Sequence, residues 1–185
     1  MYVLASCSPR RKELLSKIIS NFKIIPSDVD EESLLTSVNN VMEVPEFLST
    51  QKALQVFKSN NQDLVIAADT SIIYEDKIYG KPKDENDAKK MLSTFSDNTH
   101  YVVTGVCVVS SNRTISFSSI NEVSFYKLTD EEIEEYLSQD EYKDKAGAYA
   151  IQGNAFKFIK HISGDYNSII GLPISELNRV LKKFF

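Results

Sequence analysis

The chain has 185 residues, 42% hydrophobic and 25% charged, a balance that suits one soluble domain over residues 1–185 with a sizeable core. Its net charge of −5, from 21 basic and 26 acidic residues, gives no global field for nucleic acid or an anionic membrane, so any phosphate site has to be local. The longest apolar runs, "LVIAA" (64–68) and "YVVTGVCVV" (101–109), are too short to span a bilayer, and no signal-peptide h-region with a cleavage site opens the sequence, so a cytoplasmic location is expected.

In chain order, "YVLA" reads as a short strand and 9–20 as a helix. Ser8 suits the N-cap, Pro9 the first helical position, and Leu14, Leu15, Ile18 and Ile19 form the stripe to be buried. Arg10, Arg11 and Lys12 crowd the first turn, where the helix dipole is positive and acidic residues belong. Such an arrangement calls for an anion. "FKIIPS" (22–27) is a strand, and 46–58 a helix with Phe47, Leu54 and Phe57 on one face. "DLVIAADT" is a buried strand, "SIIYEDKIY" (71–79) a hairpin turning at Glu75-Asp76, and 84–95 a helix opened by Asp84 with Asp87 three residues on. Strands at 99–109 and 114–127 flank the polar turn "SSNR", and Thr129 with Glu132 signs a capping box for helix 129–138. A strand at 155–162, a Gly-containing loop and a helix from Pro173 complete the pattern. Early alternation of strands and helices followed by hairpins predicts an α/β fold, a mixed sheet flanked by helices, with ligands where loops leave strand ends.

Cys7 and Cys107 form no CxxC pair, and His100 and His161 have no second ligand at helical spacing, so both pairs are assigned structural or surface roles. Arg10 and Arg11 have two readings: pairing with Glu13 and the acidic cluster at 28–32, or forking onto phosphate oxygens beside exposed helix N–H groups and the small residues "ASCS". Asp69 in "AADT", at the end of an apolar strand, either caps a turn or activates water and holds a cation. Lys81 in "GKP" could neutralise phosphate charge, although no Walker A loop surrounds it. "DVDEE" (28–32) offers hard oxygen ligands for Mg²⁺ or Mn²⁺, or is a solvated face. Lys52, midway along an amphipathic helix, is expected to be exposed, and Gln152 in "DKAGAYAIQG" could read a lactam edge or simply belong to a loop.

Together "LASCSPRRKELL", "SDVDEE", "QKA", "AADTSI", "GKP" and "DKAGAYAIQGNAFKFIKHISGDYNSIIGLP" resemble the Maf family of nucleoside triphosphate pyrophosphatases over nearly the whole chain. The resemblance implies a mixed α/β fold with an elongated sheet and two lobes around a cleft, similar to inosine triphosphate pyrophosphatases. It also implies hydrolysis between the α and β phosphates, with Asp69 as base. Ser6, Arg10, Arg11, Glu31, Lys52 and Lys81 match the family's phosphate and metal shell, and Arg10, Thr70 and Gln152 its positions of substrate choice. This set is similar to the branch acting on dTTP and UTP rather than on 7-methylguanosine triphosphate. A divalent cation, Mg²⁺ or Mn²⁺, is expected on Asp69 and Glu31. The expected partner is the nucleotide, with neither nucleic acid nor membrane; homodimerisation follows from family analogy alone. The sequence departs from the family at Ala150 and in "YNSII". A non-catalytic role as a nucleotide-sensing regulator of cell division is the alternative.

Overall fold

The structure is a computed structural model describing residues 1–185. Its main elements are β1 (Tyr2–Leu4), α1 (Pro9–Ser16), β2 (Phe22–Ile24), α2 (Glu31–Leu35), α3 (Val44–Ser59), β3 (Leu64–Tyr74), β4 (Lys77–Tyr79), α4 (Glu85–Phe95), β5 (Thr99–Val109), β6 (Thr114–Phe125), α5 (Asp130–Leu137), β7 (Ile159–Ser163), α6 (Tyr166–Ile170) and α7 (Ile174–Leu181). The sheet has seven strands in the order β2-β1-β3-β5-β6-β7, with β4 pairing to β3, so the mixed α/β expectation holds. The chain divides into two compact units. Met1–Thr70, Val103–Ser119 and Asp165–Phe185 form the first, and Ser71–Val102 with Ile120–Gly164 the second.

In the first unit β1 pairs in parallel with β2, Val3 opposite Lys23, and with β3, Val3 opposite Val65. The chain thus leaves β1 toward one side through α1 and returns from β2 to the other through α3. Right-handed crossovers in opposite directions put the two helices on opposite faces of the sheet. Side chains agree: Val3, Ala5, Val65, Ala67, Cys107 and Val109 share one face and pack against Ala53 and Val56 of α3. The ends of β1 and β3 are therefore a topological switch point, where parallel sheets open a crevice for ligands. The start of α3 is pressed on β5 at Gly105, where a Cβ would lie 2.2 Å from the Glu46 nitrogen and the Pro45 carbonyl carbon. Glu46 is tied to β6 as well, its carboxylate accepting from the hydroxyls of Ser116 (2.6 Å) and Ser118 (2.9 Å).

The second unit is built on aromatic packing. Phe95, at the end of α4, meets the rings of His100 (4.4 Å), Tyr79 (5.0 Å) and Phe125 (6.2 Å). His100 is fully buried, its Nε2 lying 2.6 Å from the Tyr149 hydroxyl. The hairpin from β3 to β4 turns at Glu75 and Asp76, both at positive φ, as the sequence predicts. Helix α5 carries the expected capping box between Thr129 and Glu132.

Several boundaries differ. The first helix stops at Ser16 because Lys17 and Ile18 donate to carbonyls three residues back, tightening the chain into a turn. The strand expected at 22–27 pairs only through Phe22–Ile24. Residues Asn154–Phe158 form a 3₁₀ turn, and only Ile159–Ser163 join the sheet as β7. The short helices α2 and α6 were not expected; each has five residues, less than two turns of periodicity. The face expected on the 46–58 helix is right only in part: Phe57 packs against the core cluster. The buried stripe of the helix is Val44, Pro45, Leu48, Ser49, Lys52, Ala53 and Val56, whereas Leu54 is exposed and Phe47 and Phe57 are half-buried.

Candidate active site

The site grows from two adjacent residues of β3. Asp69 does not follow the strand but lies inside it, in a run of 11 residues that continues from Leu64 to Tyr74. β1 stops at Leu4, so Asp69 and Thr70 stand on a stretch of β3 beyond the end of that parallel neighbour. Consecutive strand residues point to opposite faces. Asp69 therefore turns with Val65 and Ala67 toward α3, and Thr70 turns toward α1.

On the α3 face, the Lys52 ammonium lies 2.6 Å from Asp69 Oδ1 and 2.8 Å from Glu31 Oε1. Lys52 and Asp69 are both 8% exposed, which corrects the expectation of an exposed lysine. A cation is tolerated at that depth because two carboxylates pair with it. A signal was present: Lys52 interrupts the apolar positions Val44, Leu48, Ala53 and Val56 at helical spacing, and a charged residue in a buried stripe needs a partner. Of the acidic run 28–32, only Glu31 reaches the ammonium. Asp30 instead caps α2, accepting from the Ser33 N–H at 3.2 Å.

On the other face, α1 starts as its residues require: Pro9 occupies the first turn and the Ser8 hydroxyl accepts from the Arg11 N–H at 3.4 Å. Arg11 does not pair with Glu13. Its Nε donates to the Gly171 carbonyl at 3.1 Å, Nη2 to the Thr70 hydroxyl at 3.1 Å and Nη1 to the Ser6 hydroxyl at 3.4 Å. Gly171 closes α6 at φ +134°, a backbone conformation that an L side chain rarely adopts. Burial lowers the Arg11 pKa from its ordinary value; Asp69 acts against this, Arg10 adds to it and Glu31 again opposes it. Three of the five guanidinium N–H donors are used in these bonds, which leaves two for an anion. Arg10 precedes it in the same turn, half-buried.

The structure thus gathers Ser6, Arg11 and Thr70 in one hydrogen-bonded group and Glu31, Lys52 and Asp69 in another, both hung on the same stretch of β3. Lys81 and Gln152 belong to the second unit. Lys81 is exposed and lies 3.6 Å from the Asp144 carboxylate, and Gln152 is exposed. Sequence reasoning missed Thr104, Ser168 and Gly171, which extend the Arg11 group. The only hint was Thr104, a hydroxyl inside the apolar run of β5. Neither cysteine joins the site: Cys7 is exposed, and burial pushes the Cys107 thiol up to about 11, where it stays protonated.

Comparison with known proteins identifies the family. The family described as Maf-like protein matches residues 1–184. The chain belongs to the Maf family. A Bacillus cereus protein named dTTP/UTP pyrophosphatase is 45% identical over 182 residues, covering 98% of this chain and 94% of its own. A relative of the same name from Bacillus thuringiensis subsp. konkukian shows the same identity and coverage. Among solved structures, a HAM1 protein from Coxiella burnetii superposes with a TM-score of 0.55 at 13% identity, covering 98% of both chains. At that identity the likeness extends to the fold alone. No helix of this Maf protein is long and apolar enough to cross a membrane.

Proposed function

We propose that the chain hydrolyses dTTP and UTP between the α and β phosphates, giving the nucleoside monophosphate and pyrophosphate. One observation carries the reading. A buried carboxylate, Asp69, is held 2.6 Å from an ammonium, and the next residue along the strand takes a helix-start guanidinium. The relatives named dTTP/UTP pyrophosphatase support the choice of substrate.

In this mechanism the triphosphate lies at the start of α1, where Arg10 and the two remaining Arg11 donors meet its oxygens. Asp69 orients a water and accepts its proton as the water oxygen bonds to the α-phosphorus and the bond to the bridging oxygen breaks. Lys52 and Arg11 stabilise the charge gathering on the departing pyrophosphate. For Lys81 the family resemblance implies a phosphate role, and for Gln152 a part in substrate choice.

Asp69 and Glu31 also suit a divalent cation. Both meet on one positively charged atom, Lys52 Nζ, and Mg²⁺ commonly takes one or two carboxylates with phosphate oxygens and waters completing its shell. No group of three or more acid, imidazole or thiol side chains is placed to hold a metal, so the remaining positions would fall to the nucleotide and water. Bound there, the ion supplies Lewis-acid neutralisation of phosphate oxygens.

The test is to incubate the protein with dTTP or UTP and Mg²⁺ or Mn²⁺ and follow pyrophosphate. Release is expected, and Asp69→Asn should lower it by about 100-fold or more while the protein stays folded. Full turnover in that variant would remove the carboxylate from the mechanism. Nucleotide binding with no turnover by the unaltered chain would favour the sensing role in cell division.

A further inference from the structure

A chain of hydrogen bonds behind Arg11 has a direction fixed by its far end. Thr104 is fully buried in β5, its hydroxyl 2.9 Å from the Ser168 carbonyl of α6 and 2.9 Å from the Thr70 hydroxyl. A carbonyl oxygen only accepts, so the single Thr104 proton goes to Ser168. Between the two threonines the donor is then Thr70, and Thr104 accepts. With its own proton committed, the Thr70 oxygen can only receive the Arg11 Nη2 proton, 3.1 Å away. The order is Arg11 to Thr70 to Thr104 to Ser168, each proton assigned once. The Ser168 carbonyl also accepts from the Gly171 N–H at 2.9 Å, and the Gly171 carbonyl accepts Arg11 Nε at 3.1 Å. The guanidinium is therefore held at two of its nitrogens by groups that lead back to one carbonyl at the end of α6.

We infer that Thr104 is a positioning residue for the triphosphate site: its hydroxyl fixes Thr70 as an acceptor and thereby locks the plane of Arg11. The inference rests on the reading that Arg11 binds the polyphosphate. A corollary concerns Thr70 itself. Its proton is used and one lone pair is taken by Arg11, so it offers a ligand only its remaining lone pair and must meet an N–H or O–H of the nucleotide rather than a phosphate oxygen.

The test compares Thr104→Val, which keeps the shape and removes the hydroxyl, with Thr104→Ser, which keeps the hydroxyl. One hydrogen bond corresponds to about fivefold to tenfold in an equilibrium. Thr104→Val is expected to lower kcat/KM for dTTP by about that factor, and Thr104→Ser to return it to within about twofold of the unaltered protein. In the ligand-free protein, NMR of the Arg11 Nε–H, assigned through Arg11→Lys, should show exchange at least about fivefold faster in Thr104→Val only. Should Thr104→Val not fold, Thr104→Cys, of similar volume and weak as a donor, is expected to show the same two effects. An active protein whose kcat/KM and Arg11 exchange are unchanged by the loss of the hydroxyl overturns the inference. Absence of pyrophosphate release from the unaltered chain would instead refute the proposed reaction, and the exchange measurement would still judge the hydrogen-bond chain.

Discussion

Replacing Lys52 by Met tests whether the carboxylate at the centre of the site depends on its internal counter-ion. The Lys52 and Asp69 side chains are 10% and 11% exposed and only 2.6 Å apart, so their attraction acts with little water between them. Glu31, with half of its side chain exposed, can be rehydrated if the ammonium is lost; Asp69 cannot. Removing one partner of a buried pair costs about 3–5 kcal/mol, because the other charge stays without compensation. We expect Lys52→Met to fall near the lower end, about 3 kcal/mol, which for a chain of this size lowers the melting temperature by roughly 6–12 °C. Removing both charges in Lys52→Met/Asp69→Asn should restore more than half of that loss. Glu31→Gln, at a half-exposed position, should cost less than about 1 kcal/mol. The assay is urea unfolding of the four proteins at one pH and salt concentration, with m-values compared to confirm that the same transition is followed. A Lys52→Met variant within 1 kcal/mol of the parent, or a double variant no more stable than the single one, would refute the reasoning.

Acid should act through His100. Burial depresses its pKa to about 3 from 6.5, so between these values only the unfolded chain takes up the proton. Its contribution to stability is complete above about pH 6.5 and shrinks as the pH falls toward 3, by about 2 kcal/mol at pH 5 at 1.36 kcal/mol per unit. His100→Gln, which does not titrate, should remove that part of the loss between pH 7 and pH 5 in urea titrations; an unchanged slope would contradict it. Gly105→Ala would set a methyl group 2.2–2.3 Å from backbone atoms of Pro45 and Glu46, so α3 must shift, at a cost of about 3 kcal/mol. A melting temperature within 2 °C of the parent would show that the helix is not seated as described.

Local chemistry made much of the chain legible. The Ser8 cap and Pro9, the capping box at Thr129 and the turn at Glu75-Asp76 depend on residues within four positions of one another, so short-range rules suffice. Three cations in a first turn already called for an anion, and the ordered motifs indicated the family. Two short helices stayed hidden because a five-residue element has too few positions for periodicity to show.

By itself, then, the sequence determined most of the long elements and that the sheet is mixed, while the expectation that Asp69, Arg11 and Lys52 share a site came from the ordered family motifs rather than from any local pattern. Tertiary structure alone decided how they are used. That Lys52 is buried rather than solvated depends on which stripe of α3 meets the sheet, set by the close approach at Gly105 and the hydroxyls of Ser116 and Ser118 on another strand. The anchoring of Arg11 likewise depends on the Gly171 carbonyl, 160 residues away along the chain. Such contacts join segments distant in sequence, and no periodicity or capping rule, which acts over a few residues, can specify them.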